Sequence, residues 1–152
     1  MSTKITTKTQ YAVAAMIEIA QSEGLISIAK ISSNQSISFD YMSVILSELQ
    51  RKKLIMSIRG RRGGYKIARP IDDISIVDIM EAIGEKIKIT RCNGREGSCN
   101  GSKIKCTAHN MWKKLEDNMS EYLSSMTLKD ILNIEGNLDD LTKCNHLLIR
   151  SI

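Results

Sequence analysis

The sequence predicts a mainly α-helical fold with one short β-hairpin and a long C-terminal helix. Three observations predict it. Apolar residues recur at spacings of three and four through most of the chain, a Gly/Arg-rich turn separates two short β-prone runs, and a single proline leaves no room for a long disordered linker. The 152 residues are the size of one ordinary domain, or of one domain with a dimerisation extension.

The first helix is read over Lys8 to Gln21, with Tyr11, Ala12, Ala15, Met16 and Ile19 on one stripe, and Gly24 beyond its end. Ser27 caps a short second helix, Ile28 to Gln35, whose inward residues are expected to be Ile28, Ala29 and Ile31. The turn Ser36-Ile37-Ser38 leads to a third helix, Phe39 to Lys52, with Phe39, Met42, Ile45, Leu46 and Leu49 as its core stripe. A short helix, a three-residue turn and a longer helix outline a helix-turn-helix, spanning 28–51. The outer face of the longer helix, with Asp40, Tyr41, Ser43, Val44, Ser47 and Gln50, carries mostly short polar side chains. Such side chains can approach base edges in a major groove.

Leu54 to Ile58 reads as a strand, Arg59-Gly-Arg-Arg-Gly-Gly as a turn whose three glycines supply positive φ, and Tyr65 to Arg69 as the returning strand. Three arginines on one tip repel each other, and a phosphate backbone neutralises that repulsion. The fold class is therefore a winged helix-turn-helix domain with a short β-hairpin wing (54–69) plus a long C-terminal dimerisation helix. The charge distribution agrees. Residues 1–70 hold eleven Lys and Arg against four acids, whereas the remainder holds eleven against thirteen. Candidate contacts to a double-stranded DNA operator are Ser38, Asp40, Tyr41, Ser43, Val44 and Ser47 on the helix and Arg59, Gly60, Arg61 and Arg62 on the wing.

Beyond Pro70, Ser75 caps a helix through Ile83 with Ile76, Ile79, Met80 and Ile83 inward, Gly84 ends it, and Glu85 to Thr90 reads as extended. Residues 107–125 form the longest predicted helix, with Met111, Trp112, Leu115, Met119 and Leu123 on its apolar face. Lying outside the compact unit, it is a candidate dimer element. Thr127 caps a last helix, Leu128 to Leu132, and 133–152 form a tail that includes Cys144 and His146, both read as incidental.

Three cysteines, Cys92, Cys99 and Cys106, are each separated by six residues, and His109 follows three after the last. An odd cluster cannot pair off as internal disulfides, so metal or cluster ligation is the expectation. The first gaps are rich in Gly, Asn and Ser, which lets several thiolates point at one centre. Zinc sites usually present closely spaced cysteine pairs, and none occurs here. Wide spacing suits a bulkier iron–sulfur cluster, with structural zinc and a bare thiol switch as the other readings. Nothing nearby completes a nucleophilic site, so no enzyme is expected. No apolar run of about 18 residues and no leader-like apolar core are present, which points to a cytoplasmic protein that does not span a membrane.

The motifs Tyr11-Ala-Val-Ala-Ala-Met, Ile37-Ser-Phe-Asp-Tyr, Arg59-Gly-Arg-Arg-Gly-Gly-Tyr65, Cys106-Thr-Ala-His109-Asn-Met-Trp112 and Met126-Thr-Leu-Lys-Asp together resemble the IscR/NsrR family of bacterial iron–sulfur winged-helix regulators, within it most like IscR. The resemblance runs from Ile5 to about Leu132, so 1–132 reads as one regulator domain, with 92–109 as its cluster-binding loop. It implies a homodimeric transcription regulator, most often a repressor of iron–sulfur assembly genes, with a [2Fe–2S] cluster on Cys92, Cys99, Cys106 and His109. The assembly machinery would be the cluster donor. A nitric oxide-sensing repressor of the same family and a zinc-stabilised protein-interaction module are the alternatives. Two departures stand out: each cysteine gap is one residue longer than is typical of the family, and Ser43 stands where a glutamate contributes to operator discrimination.

Overall fold

The computed structural model describes residues 5–89 and 108–136. Helices α1 (Thr7–Gln21), α2 (Ile28–Gln35) and α3 (Phe39–Arg51) precede an antiparallel hairpin of β1 (Ile55–Ile58) and β2 (Gly64–Ile67). A 3₁₀ turn (Ile71–Asp73) and helices α4 (Ile76–Ala82), α5 (His109–Ser125) and α6 (Leu128–Gly136) follow. The arrangement, a helix-turn-helix followed by an antiparallel hairpin, is that of a winged helix-turn-helix unit.

Every helix but α5, which follows Ala108 with no side-chain cap, starts where a small hydroxyl residue can hold a free backbone N–H. Thr6, Ser27 and Ser38 accept from the third N–H beyond them. Ser75 and Asp78 exchange two such bonds, closing a capping box on α4. Thr127 and Asp130 repeat the pattern at α6. Donation from Thr127 holds the Asp130 carboxyl below its ordinary value.

Among the described residues one core runs through the helices and the hairpin. Ala12, Ala15, Met16 and Ile19 of α1 meet Ile31 of α2, and Met42, Ile45, Leu46 and Leu49 of α3. Leu54, Ile55, Ile74, Ile79 and Leu128 close it. Two predicted core residues lie outside. Phe39 is 52% exposed, because it occupies the first helical position and α3 enters the core only at Met42. Ala29 is exposed, because the inward stripe of α2 runs Ile28, Ile31, Ser32, and residue 29 lies about a quarter-turn away.

The wing glycines serve two purposes. Of the three, Gly60 alone takes a positive φ, +135°. Gly63 and Gly64 are needed for closeness instead: a Cβ on Gly63 would stand 2.3 Å from the Ile58 carbonyl oxygen, and one on Gly64 2.6 Å from that of Ile26. The second approach carries a bridge absent from the sequence reading. Ile26 N–H donates to Tyr65 O at 3.1 Å and Tyr65 N–H to Ile26 O at 2.8 Å, pinning β2 to the α1–α2 link. A matching bridge, Ser75 with Thr127, ties the α5–α6 junction to the start of α4. The expected extended stretch from Glu85 forms no strand through Ile89.

Candidate nucleic-acid interface and the cysteine loop

The inner face of α3 is fixed by the core, which turns Asp40, Tyr41, Val44 and Ser47 to solvent, with Ser43 half-buried. Exposed Phe39 joins this outward surface. The Ser38 hydroxyl oxygen accepts from Tyr41 N–H at 3.3 Å, leaving its proton free to donate outward. Ser47 instead donates to the Val44 carbonyl at 3.2 Å, so its proton is turned back on its own helix. Tyr41 meets Tyr11 of α1 edge to face, with centroids 6.2 Å apart.

A second tie orients α3. Lys8 of α1 places its ammonium 2.8 Å from Glu48 Oε2, and donates at 2.8 Å to the carbonyl of Ile83, just past α4. Both side chains are about three-quarters buried, at 24% and 22% exposure, so the pair is less screened than a surface one. Sequence reasoning missed this brace. Its signal was present: Lys8 lies one turn before Ala12 on the buried stripe of α1, where a charge needs a partner.

On the wing Arg59, Gly60, Arg61 and Arg62 are all exposed. Arg51 at the end of α3, and Lys52 and Lys53 just after it, are exposed too and extend the basic surface toward the hairpin. No candidate acidic partner on these elements pairs with the wing arginines in the ion pairs of the described residues, which join Lys8–Glu48, Arg69–Asp78 and Lys129–Asp72. An unneutralised cationic tip beside an exposed helix face can take a phosphate backbone while the helix meets base edges.

Of the four predicted cluster ligands, His109 is described: it is half-buried at the first position of α5. Cys92, Cys99 and Cys106 lie outside the described residues, as do Cys144 and His146, and the described residues alone bring no metal-binding group of three together. The backbone leading into the loop is held: Ile89 N–H donates to the Glu116 carboxylate of α5.

The sequence profile of the Rrf2 family, described as "Iron-dependent Transcriptional regulator", matches residues 5–134. The chain belongs to the Rrf2 family. This Rrf2 protein is 36% identical over 138 residues to the HTH-type transcriptional regulator IscR of Pectobacterium carotovorum, an alignment covering 90% of this chain and 83% of that one. The same figures hold for the IscR of Photorhabdus laumondii. In structure it is similar to T. potens IscR, with a TM-score of 0.70 at 30% identity over 87% of this chain and 88% of that one. It is also similar to CymR, the global cysteine regulator of B. subtilis, with a TM-score of 0.72 at 28% identity over 86% and 97%. The Rrf2 chain is accordingly a DNA-binding transcriptional regulator, and IscR proteins are the kind it resembles. Among the described residues no helix is long and apolar enough to cross a membrane.

Proposed function

We propose that this regulator binds its operator as a homodimer under the control of an iron–sulfur cluster, at genes for cluster assembly. The observation that carries the reading is the donor set. Three widely spaced cysteines and His109 occupy the segment that joins the DNA-binding unit to α5. Thiolates with one imidazole suit a [2Fe–2S] group, and half-buried His109 at the helix start offers a ring nitrogen while keeping partly out of water. Cys92, Cys99, Cys106 and His109 would hold the group, received from the assembly machinery. When bound it supplies a centre that oxidants or iron shortage can alter or remove. The same donors would serve a nitric oxide sensor.

Two contacts join the residue that follows α4 to α3. The loop follows residues 83–89, which continue from α4; there the Ile83 carbonyl accepts from Lys8, and Lys8 in turn holds Glu48 of α3. A state of the loop that shifts α4 therefore bears on α3 through two contacts, which is the differential interaction a switch requires. The proposed contacts of Ser38, Asp40, Tyr41, Ser43, Val44 and Ser47 then lie in the major groove, and Arg59 to Arg62 clamp the backbone.

Support for the dimer comes from α5. The helix has no buried residue along its 17 positions, and Met111 (58%), Leu115 and Tyr122 are exposed on it. Beside it runs an apolar groove formed by Ile5, Val13, Ile17, Ile76, Met80 and Leu123. A second copy of the helix covers such a surface symmetrically.

The test is the iron and sulfide content and visible spectrum of protein purified without oxygen, native and Cys99→Ala. The expected result is about two irons and two sulfides per chain with broad visible absorbance, lost in the variant. A colourless protein with stoichiometric zinc would reject the sensing mechanism in favour of a zinc-stabilised module.

A further inference from the structure

We infer that Val44 reads the C5-methyl group of a thymine in the operator, making it a specificity residue of this regulator. The inference rests on α3 entering the major groove, and it names the feature α3 recognises there. Val44 is 51% exposed at the centre of the outward face of α3. Folding gives no reason for valine at that place. A β-branched side chain restricts its own rotamers in a helix, and an exposed one recovers little by burial.

The neighbours sharpen the assignment. Ser47, one turn on, spends its hydroxyl proton on the Val44 carbonyl. Ser43 is half-buried, and Tyr41 leans against Tyr11. Phe39 projects at the first position of α3 and Val44 is the apolar group at the middle of the helix, on a surface otherwise made of Asp40, Tyr41, Ser43 and Ser47 and continuous with the DNA-binding face. Valine has no donor or acceptor. Of the features the four base pairs display in a major groove, the thymine methyl is the one an apolar side chain can select.

The experiment starts by selecting duplexes from a random-sequence pool with the purified full chain. The preferred duplex is then resynthesised with deoxyuridine replacing each thymine in turn, which deletes one methyl and leaves pairing intact. For the native chain, one thymine per half-site should prove sensitive, with affinity falling about fourfold, the effect of one methyl leaving apolar contact. Val44→Ala, folded and melting no lower than the native chain, should bind the thymine and uracil duplexes equally. Tolerance of every replacement by the native chain, or an undiminished thymine preference in Val44→Ala, would overturn the inference while leaving α3 in the groove. Failure to bind any duplex even at low salt would remove the placement of α3 itself, and the inference with it.

Discussion

Replacing Arg59, Arg61 and Arg62 together by alanine is expected to lower operator affinity about a hundredfold per engaged wing at physiological salt, and so about ten-thousandfold for a homodimer with both wings on DNA. The estimate follows from counterion release: each phosphate contact contributes about 0.9 to the slope of log affinity against log salt, so the three contacts of one wing at about 0.15 M multiply to about a hundredfold. Binding measured across a salt series should therefore show a slope shallower by about three per wing. The melting temperature should stay put, because these side chains are exposed and lie on a turn held by backbone contacts of Gly63 and Gly64. An unchanged salt slope would mean that the wing does not touch the backbone. The contrast with Val44 is diagnostic. The arginines act on every sequence alike, whereas Val44 acts at one base pair and leaves the salt slope alone.

The second large effect concerns stability. Leu46 is fully buried on the inner face of α3, among residues of the core shared with α1 and α4. Leu46→Ala should cost about 2–5 kcal/mol of unfolding free energy, through lost transfer energy and the cavity left behind. Domains of this kind have about 5–15 kcal/mol in total, so urea unfolding would show a much earlier midpoint. Operator affinity should fall only as far as the folded fraction falls. A loss under about 1 kcal/mol would show that α3 is not anchored through this face.

Leu46 and Val44 stand on opposite faces of α3, one buried and one exposed, and that separation was legible in the sequence. Met42, Ile45, Leu46 and Leu49 recur at helical spacing, and all four are buried. The caps were equally legible at Ser27, Ser38 and Ser75, because a hydroxyl residue just before an apolar-periodic run satisfies an otherwise free N–H. Phe39 fell outside the pattern because periodicity gives direction around a helix and says nothing of where along it the core begins.

Pairings distant in sequence were not legible. The Ile26–Tyr65 bridge joins two single residues that carry no alternation of their own, and the Lys8–Glu48 pair spans 40 positions. The wing glycines were read for backbone freedom, which Gly60 uses. The need at Gly63 and Gly64 is set by carbonyls of Ile58 and Ile26 that only the folded chain brings near. Of the cluster site, His109 falls in the described residues and the three cysteines do not, so that part of the reading rests on residue types and spacing.

The most direct test of the account compares affinity for one selected duplex, at fixed salt, between cluster-loaded protein and the same preparation after chelation removes the cluster. The account predicts a change of about 5- to 150-fold, the usual range of coupling between two sites, and the cluster-free value for Cys99→Ala before and after chelation. Equal affinities for loaded and cluster-free protein would contradict it, leaving a DNA-binding regulator whose cysteine loop does not govern the operator.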